Sequence, residues 1–203
     1  MIKIRNATVE DLDEIIRLEN QIWPESSRAP REKFETRLKM FSQGFFIAYD
    51  EKRGLLGVST SEIVNYNPKN PPTSWEDITD NGWIVRTYIP NGNALYVVSV
   101  GSISRSGGGS ALVQAQKKLA KKLALNYLVL GSRIPGYNKY CEQNGEIAIE
   151  DYVKLVREDG EMFDPELRFY IRNGLGLRKV VQRYMLDDEE SREFGAIMDW
   201  IVK

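Results

Sequence analysis

Tyr96-Val97-Val98-Ser99-Val100 leads through Ser104-Arg105-Ser106 into Gly107-Gly108-Gly109-Ser110-Ala111-Leu112, the most informative stretch of the chain. The β-branched and aromatic residues of Ala94 to Val100 predict a strand. Beyond the glycines, Leu112, Ala115, Leu119 and Leu123 recur on one face, which predicts a helix over Gly107 to Leu125. A strand thus delivers the backbone to a tight turn that opens a helix. Glycines permit positive φ and close approach of a ligand. The first amides of a helix lack internal partners and carry partial positive charge. Together these features form an anion site. A hydrogen bond to a charged oxygen contributes about 1.5–3 kcal/mol, so a few such bonds hold a pyrophosphate without many lysines. The alternative is a plain strand-to-helix turn that needs glycines for packing. Two nucleotide motifs fail on spacing. No lysine follows the glycines, and Leu112 stands where G-x-G-x-x-G requires its third glycine.

At the start of the chain, Ile2 and Ile4 begin a short strand. Thr8 is an N-cap candidate before Leu12, Ile15, Ile16, Ile22 and Trp23 at helical spacing. Pro24 closes that helix, and Pro30 opens another carrying Phe34, Leu38 and Phe41. Phe45 to Tyr49 and Leu55 to Val64 read as a hairpin around Asp50 to Gly54. Residues 65–93 carry Pro68, Pro71, Pro72 and Pro90 but also Trp75, Trp83 and Tyr88. Three large aromatics point to an ordered excursion, not a floppy linker. Tyr127 to Leu130 is an apolar strand. Ile149 to Arg157 and Pro165 to Arg172 read as helices, and Arg178 to Leu186 and Gly195 to Val202 as closing strands. The acidic run Asp187 to Glu190 reads as a solvated turn. The order predicts one mixed α/β domain.

Composition narrows the chemistry. The 203 residues suffice for a sizeable core. A net charge of -1 argues against nucleic acid as a partner. One cysteine, Cys141, suits a reducing cytoplasm. No apolar run reaches membrane-spanning length, and the start of the chain lacks a signal-peptide core. The absence of histidine removes serine-histidine and cysteine-histidine hydrolysis and most zinc sites.

The glycine turn resembles the R/Q-x-x-G-x-G/A signature of the GNAT superfamily of acetyl-CoA-dependent N-acetyltransferases, which is typically followed by Ser-Ala-Leu. Gly107 to Leu112 matches its second half. Ser104 stands where the family has Arg or Gln, with Arg105 beside it. The similarity runs over nearly the whole chain. Thr8-Val9-Glu10-Asp11-Leu12 is similar to the family's start, and Phe169-Tyr170-Ile171-Arg172-Asn173-Gly174-Leu175 to its F/L-Y-x-x-x-G-F element. Thr73 to Thr79, Pro90 to Tyr96, Arg133 to Tyr137 and Leu186 to Trp200 look closer still to one subgroup. It is the acetyltransferase-like domain that some bacterial proteins carry in front of a carbon-nitrogen hydrolase domain. These 203 residues do not contain that second domain.

The resemblance implies a GNAT-type fold over 1–203, with a mixed central sheet of about six to seven strands flanked by helices. The excursion at 65–93 and a helical insertion around 134–164 would decorate it. It implies acetyl-CoA as cosubstrate and no metal. Val98, Ser99 and Val100 would meet the pantetheine arm, and Ser104, Arg105, Ser106, Gly107, Gly108, Gly109 and Ser110 the pyrophosphate. The acceptor would be an amine on a small molecule or peptide, attacked directly; a homodimer stays open. The other outcome on the same fold is a catalytically silent coenzyme-binding or interaction domain.

Direct transfer needs a neutral amine. A lysine-like amine has a pKa of about 10.4 and an α-amino group about 7.7–8.0. Without histidine, the base must be a carboxylate, a tyrosine or a held water. No acid lies between Ala94 and Val100. Glu62 on the preceding strand is the candidate, against the alternative of a surface strand residue. Tyr170 matches the family tyrosine that protonates the leaving thiolate; a phenol remains a donor at neutral pH. Arg133, Tyr137 and Trp75 are candidates for the acceptor pocket, and a salt bridge is the equal alternative for Arg133. Cys141 has no histidine to activate it.

Overall fold

The computed structural model describes residues 1–203, the side chain of Ser26 excepted. In chain order the elements are β1 (Lys3–Asn6), α1 (Leu12–Ile22), α2 (Arg31–Phe41), β2 (Phe46–Asp50), β3 (Gly54–Val64), α3 (Trp75–Thr79), β4 (Ala94–Ser102), α4 (Gly108–Lys122), β5 (Tyr127–Ser132), α5 (Tyr137–Asn144), α6 (Ile149–Tyr152), α7 (Pro165–Arg172), β6 (Gly176–Val181) and β7 (Gly195–Ile201). The strands follow the order β1-β2-β3-β4-β5-β7-β6, a mixed sheet of seven. The chain divides into two compact units. The first is Met1–Asn65, Thr79–Leu128 and Ile201–Lys203; the second is Tyr66–Ile78 and Val129–Trp200.

In the first unit β1, β2, β3 and β4 pair antiparallel in succession. The chain enters α1 through a reciprocal cap. Thr8 N donates to Asp11 Oδ2 at 2.8 Å. Arg5 clamps the same carboxylate at 2.7 and 2.6 Å. That clamp, first among its causes, pulls the Asp11 carboxyl down to about 2. Leu12, Ile15, Leu18 and Phe34 of α1 and α2 are buried with Phe45, Ile47 and Val58 in one cluster. Ala48, Leu56 and Leu112 form a second cluster. The alternation of Ile47 and Ala48 along β2 separates the two clusters onto opposite faces. A register shift between Ala48 and Tyr49 leaves Leu56 as an extra residue in β3. It turns Leu56 toward α4 and Val58 toward α1.

In the second unit β6 and β7 are antiparallel. Tyr137, Tyr152 and Tyr184 are buried there. Tyr152 lies against Tyr137 and Tyr140, with ring centroids 5.2 and 5.3 Å apart. Asp164 caps α7, accepting from Glu166 N at 3.0 Å and Leu167 N at 3.1 Å. Its other oxygen accepts from Gly136 N at 3.0 Å.

Two expectations for this unit need correction. The helix expected over Ile149 to Arg157 stops at Tyr152. The chain instead forms a small hairpin, with Arg157 N on Glu161 O and Phe163 N on Leu155 O, because Asp159-Gly160 is a turn dipeptide and Gly160 has φ 78°. The strand expected over Arg178 to Leu186 ends at Val181, beyond which Arg183 takes φ 55°.

Candidate functional site

The glycine turn sits where the sequence puts it. Ile103 N bonds to Leu56 O at 2.9 Å and ends β4 against its neighbour. Arg105 (φ 56°) and Gly107 (φ 83°) both take left-handed backbone, which folds the chain back to the head of α4. At Gly107 a side chain is strained by that φ alone. Gly108 begins the helix, and a Cβ there would lie 3.2 Å from Leu56 O. The first turn of α4 therefore carries no side chain over its opening two residues. Ser106 Oγ accepts from Gly108 N at 3.0 Å, a local bond that fixes the turn. Ser104, Arg105 and Ser110 are exposed. The turn fits a phosphate group: bare backbone, a helix start and an exposed guanidinium.

Just before the turn, β4 carries an irregularity. Thr60 pairs with Ser99 and Ser61 with Val97, so Val98 is an extra residue opposite β3. Val97 and Val98 are consequently both buried, while Ser99 and Val100 are half-buried. A bulge re-aims the strand next to a ligand site more often than elsewhere.

The residues of β3 opposite this bulge are polar and buried. Ser59, Thr60, Ser61 and Glu62 are each no more than 1% exposed. Glu62 is thus an interior residue, and its alternative as a surface strand residue is overturned: β3 is covered on both faces. Thr87 Oγ1 donates to Glu62 Oε2 at 2.7 Å, and Oε1 has no hydrogen-bond partner among the described residues. Burial, only partly offset by Thr87 and the field of Arg37, pushes the carboxyl up to about 8. Arg37 is itself 2% exposed. Its Nε donates to Gly82 O at 2.7 Å, and its guanidinium lies 5.3 Å from the Phe34 ring centre. Burial lowers it to about 10, which leaves it charged at neutral pH.

The remaining candidates belong to the second unit. Tyr170 is buried on α7, with its ring 5.0 Å from that of Phe169. Arg133 donates to both carboxylate oxygens of Asp188, at 2.9 and 2.6 Å, and to Glu190 at 2.7 Å. This is the salt-bridge alternative, realised. It also corrects the acidic run: Asp188 is not a solvated turn residue, since its side chain is 7% exposed and supplies the counter-charge. Tyr137 is a core residue, its Oη donating to Ile147 O at 2.8 Å. Trp75 opens α3 half-buried, with its amide on Tyr184 O at 2.8 Å. Cys141 is buried. Glu166, half-buried near Asp164 and Asp188, is pushed up to about 7 by burial first and by those charges.

Arg37 and Thr60, which the sequence reading does not single out, connect by hydrogen bonds to Ser99. The signal was present: Arg37 falls on the same helical face as Phe34, Leu38 and Phe41, an unusual place for a charge. Among the described residues no cluster of three or more histidine, cysteine or acidic side chains could hold a metal, and no helix is long and apolar enough to cross a membrane.

No family model matches the chain. Two proteins of Bacillus subtilis (strain 168) are similar to it. The uncharacterized N-acetyltransferase YkwB is 34% identical over 207 residues, covering 98% of this chain and 88% of that protein. The probable hydrolase YhcX is 32% identical over 200 residues, covering 97% of this chain and 38% of YhcX. The chain therefore spans well under half of the second relative. Among solved structures, the loading GNATL domain of CurA from Lyngbya majuscula superposes with a TM-score of 0.82 at 20% identity, covering 100% of this chain and 98% of that one. The GphF GNAT-like decarboxylase, solved with isobutyryl-CoA, gives 0.83 at 21% identity, covering 99% and 100%. At such identities the structural likeness speaks to the fold.

Proposed function

The chain belongs to the GNAT superfamily, and on that premise we propose that it moves an acetyl group from acetyl-CoA to a primary amine by direct transfer. The observation that carries this is the sequence of bulged strand, left-handed glycine turn and bare helix start over Val98 to Ser110. Ser104 to Ser110 would hold the pyrophosphate through backbone amides and Arg105. Val98, Ser99 and Val100 would pair with the pantetheine arm, whose amides need backbone partners.

The chain's own groups then divide the proton work. Glu62, pushed up to about 8, is neutral or charged according to small changes of pH near neutrality, which suits a general base. Tyr170 would donate to the departing sulfur. An α-amino acceptor needs less help from such a base than a lysine-like one, because its pKa lies about 2.5 units lower. Asp188 and Ile147 already hold Arg133 and Tyr137, so these two and Trp75 would line the acceptor pocket as walls and not as polar contacts. We take the cytoplasm as the compartment, which one buried free cysteine suits.

The test is a turnover screen with acetyl-CoA over amino acids, polyamines, aminoglycosides and peptides, following free thiol. Thiol release with at least one amine is expected. Silence across the panel with acetyl-CoA binding intact would instead favour a coenzyme-binding domain without catalysis.

A further inference from the structure

The buried polar residues of β3 form two sets on opposite faces of the strand. Ser59 and Ser61 turn to α4, where Gln116 satisfies them. Its Nε2 donates to Gly44 O at 2.9 Å and Ser59 Oγ at 3.0 Å, and its Oε1 accepts from Ser61 Oγ at 2.9 Å. That set is closed. The opposite set is open at one end. Arg37 Nη1 donates to Thr60 Oγ1 at 3.3 Å, and Thr60 Oγ1 lies 2.9 Å from Ser99 Oγ.

The direction of this chain follows from donor inventory. Arginine has no acceptor, so Thr60 accepts from Arg37. Thr60 is 1% exposed, and a buried hydroxyl places its proton on an acceptor. Among the described residues its remaining polar contact is Ser99 Oγ. Thr60 therefore donates to Ser99, and the Ser99 proton is directed away from the protein interior. Ser99 is half-buried, one residue beyond the bulge at Val98. A fixed positive charge at the head of a hydrogen-bonded chain polarises every link toward its end.

We propose that Ser99 Oγ donates a hydrogen bond to the carbonyl oxygen of the bound thioester and stabilises the negative charge that grows there. Ser99 is then a catalytic residue, and Thr60 and Arg37 are positioning residues acting through it. The assignment rests on the coenzyme A site proposed above. Ser99 exchanges no atoms. The acceptor nitrogen forms the N–C bond, the C–S bond breaks, the sulfur leaves as thiolate and takes a proton, and the nitrogen loses one to the base. A preorganised donor of this kind, once removed, lowers turnover by on the order of 10²-fold.

The experiment is infrared difference spectroscopy of acetyl-CoA, isotope-labelled at the thioester carbonyl, bound to the whole chain, with calorimetry for binding. In the wild type the carbonyl band should lie below its frequency in solution. Ser99→Ala should return it toward the solution value while acetyl-CoA still binds. Ser99→Thr should keep the low band, and Thr60→Val should give a partial return. An unmoved band in a binding-competent Ser99→Ala overturns the assignment but leaves the coenzyme site standing. If Ser99→Ala does not fold, an unmoved band in Thr60→Val overturns it. Failure of the wild type to bind acetyl-CoA removes the coenzyme site itself, and this assignment with it.

Discussion

Glu62 concentrates the physics of the site in one side chain. It is fully buried, one carboxylate oxygen is held by Thr87, and the other has no partner among the described residues. Its carboxyl sits at about 8 against an ordinary 4.5. Between those values the folded protein keeps a proton that the unfolded chain has released. Stability is therefore greatest below pH 4.5 on this account and declines as pH rises through about 8. Glu62→Gln retains an acceptor for Thr87 and cannot titrate. Thermal unfolding followed across that window should show a falling wild-type curve and a flatter variant curve, with Gln gaining relative to Glu as pH rises. Parallel curves would show that Glu62 is ionised throughout. Tyr170 poses a different question, because it is buried on α7 and Phe differs from it only by the hydroxyl. Tyr170→Phe should lower turnover by about 10²-fold while leaving acetyl-CoA affinity unchanged. Equal turnover would take Tyr170 out of the mechanism.

Among the elements, the junction of β4 and α4 is the proposed seat of the coenzyme. Gly109 is the second residue of α4 and is buried at its positive end. Gly109→Glu brings bulk and a carboxylate to the place where the pyrophosphate would lie. Because Gly109 is buried, circular dichroism must first show the variant folded, and the folded variant should have lost acetyl-CoA binding in calorimetry. Unchanged affinity would move the site elsewhere. This junction was legible in the sequence because strand, turn and helix each carry a local signal: β-branched residues, three glycines, a leucine face. The bulge at Val98 was not, since it is defined by pairing with Thr60 and Ser61 on a strand far away in sequence. The burial of Glu62 was hidden for the same reason. A polar run such as Ser59-Thr60-Ser61-Glu62 reads as surface until α2 and α4 are known to cover both faces. In the second unit, Arg133 could not be assigned from sequence because Asp188, its partner, is fifty-five residues distant. The Asp159-Gly160 turn was readable and was masked by the helical pattern around it.

For the whole molecule, binding must appear as stability. The net charge of -1 provides no general attraction for a polyanionic coenzyme, so on the proposed reading affinity would come from the local turn. The turn, β4, Glu62 and Arg37 all lie in the first unit, so a ligand held there stabilises that unit's native state. At a free concentration a hundred times Kd the gain is about 2.7 kcal/mol. For a chain of this length each kcal/mol raises the midpoint by about 2–4 °C, giving a shift of about 5–10 °C. The shift should grow with the logarithm of acetyl-CoA concentration, and Gly109→Glu should abolish it. Free adenine nucleotides, which lack the pantetheine arm, should give a smaller shift, because the pairing offered by Val98 to Val100 would go unused. No shift at millimolar acetyl-CoA would rule out the coenzyme site, whereas equal shifts with both ligands would confine recognition to the glycine turn.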